Sequence, residues 1–311
     1  MALSQRCKLL ISALLMTGLL SACGGGGGGT ADSGSNVNTA VLLNTTADQG
    51  FNWINTRRQQ IGIPTPLKRD TVIDKAAQNH SIYQVSNNII THDETSGLTG
   101  FTGVDQLARL KAVGYTVAAP YLFGEVIARA PNSDGAFLAE ELIAAIYHRF
   151  LIFEPLFKDA GSGAAISRSG DVYFTTNFAA NKGYGVGIGN GKIVNYPYDG
   201  QSGVPTSFLS DSEEPDPVPD RNEVGYPISV HSDATGTLTV NNFTVRLRGA
   251  GSDLPVRLLT ADTDPNTQKV GPTAAAIIPL APLLSGQTYD VAFSGVANSI
   301  AVTRNWFFST K

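Results

Sequence analysis

Four histidines, His80, His92, His148 and His231, carry most of the chemistry open to this sequence. An imidazole can exchange a proton near neutral pH or ligate a metal. His92 falls on a loop, Thr91-His92-Asp93-Glu94, and His148 ends a helical pattern at Tyr147-His148-Arg149. His80 sits mid-helix among apolar neighbours and reads as a packed structural residue. His231 lies in a strand-rich region and reads as a surface or edge residue. Glu125 interrupts the apolar run Gly124 to Ala128, so if buried it must be paired or hydrogen-bonded. No HxxxH or HExxH spacing puts two ligands on one helix face. Spacing alone therefore does not unite His92, Glu125 and His148. No GxSxG, no Ser-His-Asp order and no cysteine nucleophile is visible.

The elements that must position these residues follow from periodicity. Apolar spacing predicts helices over Asp48 to Ile61, Asp70 to Asn88 and Asp105 to Val113, with Gly114 as the C-terminal cap of the last. A fourth is predicted over Ser133 to Phe150, where Phe137, Leu138, Glu141, Leu142, Ala145, Ile146 and Arg149 run along one side. Beyond it the period shortens, and Ala160 to Ser167 and Val172 to Phe178 flank a turn at Arg168-Ser169-Gly170-Asp171. Residues 45–182 thus read as an α+β domain of helices followed by an antiparallel sheet. Residues 183–222 are rich in Gly, Ser, Pro and Asp and read as a solvated linker. From 223 to 311 short strands alternate with turns, the pattern of a small all-β sandwich.

The chain has 311 residues, enough for about two domains. With 42% apolar and 15% charged residues it can bury a core. Its 22 basic and 26 acidic side chains give a net charge of −4 without a basic run, which argues against nucleic acid as a partner. The N-terminus sets the compartment. Arg6 and Lys8 precede an apolar stretch, Leu9 to Leu20, too short for a stable membrane-spanning helix. It reads as the core of a signal peptide over residues 1–22. Leu20-Ser21-Ala22-Cys23 resembles a bacterial lipobox, which implies cleavage before Cys23 and lipidation of that residue. Acyl chains there would hold the protein at a membrane. On a Gram-negative host, Gly24 rather than Asp after the lipidated residue favours the outer membrane. Residues 23–44, with the run Gly24 to Gly29, form a flexible tether. Cleavage removes two basic side chains and no acidic one, leaving a net charge of −6. It also removes Cys7, so the mature chain has neither a disulfide nor a cysteine-based zinc motif.

From about Asn52 to Phe178 the sequence resembles the CAP superfamily (cysteine-rich secretory proteins, antigen 5, pathogenesis-related 1) in its bacterial, SCP-like form. The matching pieces occur in order, among them Ile54-Asn55-Thr56-Arg57-Arg58, Lys75-Ala76-Ala77-Gln78-Asn79-His80, Thr91-His92-Asp93-Glu94, Gly124-Glu125-Val126-Ile127-Ala128, Tyr147-His148-Arg149 and Asp159-Ala160-Gly161-Ser162-Gly163. The resemblance implies an α-β-α sandwich with a cleft lined by His92, Glu125 and His148. Glu141, seven residues before His148, is the candidate for the family's second glutamate. The C-terminal part resembles bacterial Ig-like modules through Pro279-Leu280-Ala281-Pro282 and Asn305-Trp306-Phe307-Phe308.

Two neutral imidazoles and a carboxylate would suit a divalent ion, zinc first, with His92 and His148 as ligands. The expectation is a non-enzymatic, extracytoplasmic binding protein of the cell envelope for a small molecule, lipid or peptide. The alternatives are a metal-assisted hydrolase of peptide or cell-wall material, with Glu125 as its catalytic residue, or a surface adhesion protein. Two of these depend on three distant segments meeting.

Overall fold

The computed structural model describes residues 40–311, apart from 267–268, and the backbone of residues 8–14. The expected lipidation site, Cys23, and most of the expected tether lie outside the described residues. The first half contains strands β1 (Lys8–Leu14), β2 (Val41–Leu42), β3 (Lys68–Arg69), β4 (Leu122–Ala130), β5 (Asp159–Ile166) and β6 (Val172–Ala180). Its helices are α1 (Asn44–Gln60), α2 (Thr71–Asn87), α3 (Gln106–Ala112), α4 (Gly135–Ala144) and α5 (Ile146–Ile152). The second half is strand apart from one short 3-10 turn, Ser210–Ser212. It runs through β7 (Val194–Tyr196), β8 (Gln201–Val204), β9 (Ser207–Leu209), β10 (Glu213–Glu214), β11 (Glu223–Gly225) and β12 (Ile228–His231), then β13 (Leu238–Leu247), β14 (Val256–Leu259), β15 (Ala274–Pro279), β16 (Thr288–Ala297) and β17 (Ile300–Thr310). Among the described residues no helix is long and apolar enough to cross a membrane.

The central sheet has the order β10-β1-β4-β6-β5-β2, with β3 added beside β5. Its middle is antiparallel, β4 and β5 flanking β6. Strand alternation separates its two faces. Ala160 and Ala164 of β5 and Phe174 and Phe178 of β6 join the core with Phe51 and Ile54 of α1 and Leu138 and Leu142 of α4. The residues between them look the other way. There Gly161 and Gly163 lie so close to α2 that a Cβ on either would run into the backbone nitrogen of Asp74 or Gln78. Helices thus cover both faces. Asp70 starts α2 by accepting the N–H groups of Val72 at 2.8 Å and Ile73 at 3.2 Å, a cap that contributes about 1 kcal/mol.

The predicted fourth helix is two. Ala145 takes an extended conformation, φ −71° and ψ 122°, which ends α4 and lets α5 leave in a new direction. Residues 183–222 also differ from a solvated linker. They supply β7 to β10, and Val194, Tyr196, Val204, Phe208 and Val218 within them are buried. Glycines and prolines there punctuate short strands instead of spacing out coil. Two four-stranded sheets follow, β14-β15-β12-β7 and β13-β16-β17-β8, each completed by a strand from that stretch. In β17 Trp306 and Phe308 are buried while Phe307 is exposed. One continuous apolar cluster joins this half to the helices. Arg149 of α5 crosses the junction, its guanidinium 4.9 Å from the Tyr196 ring centre and 5.0 Å from that of Tyr226, and donates to the carbonyl of Pro227 at 2.6 Å. Residues 8–14, within the expected signal peptide, run as a strand antiparallel to β4 and parallel to β10.

The tight approach of α2 gives a first prediction. Gly163→Ala destabilises the fold by about 1–3 kcal/mol through overpacking. Gly251→Ala, where nothing lies within 4 Å, changes stability by less than about 0.5 kcal/mol. Urea unfolding of both variants separates the two.

Candidate functional site

Glu125 lies in the middle of β4 and is fully buried. A carboxylate there must find its partners within the protein. Arg109 of α3, itself 1% exposed, supplies them. One terminal nitrogen of its guanidinium lies 2.9 Å and 2.8 Å from the two carboxylate oxygens. The other donates to the carbonyl of His92 at 2.7 Å. Asp105 fixes the start of α3 by accepting the N–H of Ala108 at 2.7 Å. Burial opposes ionisation of Glu125, but Arg109, His80 and His92 more than offset it and hold the carboxyl well below the usual carboxylate range.

His92 donates from Nδ1 to Glu125 Oε1 at 2.9 Å. That bond fixes the tautomer and leaves a lone pair on Nε2. Nε2 is buried and has no hydrogen-bond partner in the protein. Burial pushes the His92 imidazole below its ordinary pKa, Glu125 opposes that shift, and His148 and His80 add to it. The ring is therefore neutral at neutral pH.

His148 repeats the arrangement with a different carboxylate. Its Nδ1 donates to Glu213 Oε1 at 2.9 Å, and its buried Nε2 likewise has no partner in the protein. Glu213 comes from β10, 65 residues further along the chain. It also accepts three backbone N–H groups at the start of α5, from Ile146 at 2.8 Å, Tyr147 at 2.7 Å and His148 at 3.2 Å. These are donors that the break at Ala145 would otherwise leave unmatched.

Behind the pair, His80 of α2 is bonded at both nitrogens, to Glu94 Oε1 and to the carbonyl of Thr91, each at 2.8 Å. Glu94 also accepts the N–H groups of Thr102 and Gly103. Together they lace down the loop that carries His92.

The structure therefore bonds His92 to Glu125 and sets His148 near enough to influence the His92 charge. Glu141 stays apart. Burial and Glu140 raise its pKa, Lys311 opposes them, and the break at Ala145 removes the helix face it was to share with His148. His231 is not a surface or edge residue. It is 2% exposed, wedged edge-on between the rings of Phe150 and Phe153. β12 that bears it is an inner strand, flanked by β7 and β15. Sequence reasoning missed Arg109 and Glu213. Arg109 had a signal, since a glutamate in an apolar strand requires a cation. Glu213 had none, being one acid in a proline-rich acidic run.

Chemically the site presents two imidazole lone pairs, each backed by a carboxylate through the opposite ring nitrogen. Among the described residues no group of three or more His, Cys, Asp or Glu is arranged to hold a metal. Glu125 is occupied by Arg109 and His92 and is no free ligand. Breaking that pair should be costly. Arg109→Ala strands a buried charge and destabilises the chain by about 3–5 kcal/mol. Because the Glu125 pKa is depressed on folding, its contribution is fully present above the unfolded value, 4.5. It is lost as pH falls through the folded value. Acid unfolding of Glu125→Gln, followed by circular dichroism, should show a shallower loss of stability below about pH 4.5 than the native chain.

No family model matches the chain. No curated protein matches it. Among solved structures the chain is similar to an outer surface protein from Borrelia burgdorferi at 15% identity, a TM-score of 0.38, and coverage of 47% of this chain and 99% of that one.

Proposed function

We propose that this chain is an extracytoplasmic, lipid-anchored binding protein of CAP type, joined to an Ig-like module. Its site is the pair of imidazole Nε2 atoms of His92 and His148. The observation that carries the reading is that both atoms are buried and unpartnered while each ring is held at Nδ1 by its own carboxylate. Buried polar atoms are normally satisfied, and a carboxylate behind the far nitrogen is the usual support of a metal-ligating histidine.

These residues fit a divalent ion such as zinc, held by the two nitrogens with its remaining positions open to a ligand. Bound there, the ion would act as a Lewis acid toward a ligand's oxygen or nitrogen. The neutral His92 ring suits that role. The held glutamates favour binding over hydrolysis. A general base needs a pKa near the working pH, whereas Glu125 is pinned in its ionised form by Arg109.

Calorimetric titration with zinc tests this. The native chain should bind one equivalent, and His92→Ala and His148→Ala should each abolish that binding. Glu213→Gln should weaken it by about 10–100-fold. Because burial lowers the His92 pKa, affinity should persist below the ordinary imidazole value of about 6.5. Zinc binding unchanged in the double histidine variant would overturn the assignment.

A further inference from the structure

A cavity lies where α5 and β4 of the helical half meet β12 and β15. It encloses about 120 Å³. Leu122, Phe123, Leu151 and Phe157 form its apolar wall, and Gly271 and Pro272 lie exposed at its rim. None of the histidines or glutamates of the candidate site lines it. Its volume is close to that of an apolar cavity of roughly 150 Å³ that stays dry and accepts benzene.

Tyr147, Glu154, His231, Ser232, Lys269 and Thr273 also line the cavity, and of these only His231 has a buried polar atom without a partner among the described residues. Glu154 Oε1 accepts the N–H groups of Leu156 at 2.8 Å and Ala234 at 3.2 Å, so the carboxyl is fixed in place and its second oxygen lies outside those bonds. Burial pushes this carboxyl up to about 7, against the pull of those two N–H groups and Arg58, while Asp233 adds to the rise. It is therefore partly protonated at neutral pH.

His231 has a fixed tautomer. Arg149 donates to the Ser229 hydroxyl at 3.4 Å, and that oxygen lies 2.9 Å from His231 Nε2. The Ser229 hydroxyl has no other hydrogen-bond partner among the described residues, so its own proton goes to Nε2, and the ring's single proton sits on Nδ1. Burial and the Arg149 guanidinium push the ring down to about 3, which keeps it neutral. The Nδ1–H is buried, and no protein group accepts from it. An unmatched buried donor is destabilising. A ligand oxygen would satisfy it.

We propose that this cavity is a binding site for a ring-sized apolar molecule bearing one hydroxyl, a phenol-type ligand. A hydroxyl both accepts and donates, so it can take the proton of His231 Nδ1 and offer its own to Glu154. Neither a hydrocarbon nor a carboxylate does both.

The test titrates the full chain with phenol and with benzene, read by ligand-observed NMR. Phenol should bind about tenfold more tightly than benzene, the value of one hydrogen bond of about 1.4 kcal/mol. Ala274→Leu, which fills the cavity, should weaken both probes. His231→Phe should bring the two affinities within about twofold of each other, and His92→Ala should leave both unchanged. Should His231→Phe fail to fold, Glu154→Gln is read instead, with the phenol preference again reduced. Equal binding of the two probes by the native chain, no binding of phenol at about 10 mM, or a phenol signal unaffected by Ala274→Leu overturns the proposal.

Discussion

A carboxylate without solvent contact has to be neutralised from inside the protein, and the ion pair of Glu125 with Arg109 does this here. Much of the first half is arranged around that pair. β4 carries the acid into the centre of the sheet, and α3 brings the base to it. The same guanidinium holds the carbonyl of His92, so the loop bearing that histidine is tied to the charge pair. Desolvating both ions is expensive, and their attraction offsets it only when the remaining hydrogen-bonding capacity is used. His92 takes up part of that capacity on the acid, and the His92 carbonyl takes up part of it on the base.

Glu213 solves a different problem with the same chemistry. The chain turns sharply at Ala145 so that α5 can present His148, and the turn frees several N–H groups in the interior. One carboxylate gathers three of them and the imidazole as well. The site is therefore assembled from the Thr91 loop, α3, β4, α5 and β10. Its histidines are each held at Nδ1 by a carboxylate, which leaves both Nε2 atoms free of structural duty.

The local parts of this arrangement were legible in the sequence. Helices α1 to α3 and the β5–β6 hairpin follow from apolar period, and Asp70 and Asp105 mark helix starts by side-chain chemistry that needs no partner far away. The family resemblance named His92 and Glu125, which the structure joins by a hydrogen bond. What could not be read depended on distance. Helical period runs straight through Ala145, because the reason to stop there is an acid 65 residues beyond His148. The stretch 183–222 looked like coil because its strands are only two to four residues long and are completed by neighbours elsewhere in the chain. His231 looked peripheral because a strand's burial depends on what lies on both sides of it, which its own residues do not state.

The placement of Glu213 bears on how the protein comes into being. A ribosome delivers the segment with His92 and Glu125 long before it delivers the acid that finishes His148. Until Glu213 emerges, the nascent chain can close its first ion pair but must leave the turn at Ala145 with unmatched donors. Dissection at the apparent boundary near residue 182 would freeze that unfinished state. The two halves of the polypeptide are better regarded as one folding unit whose last stitch is made from the far side.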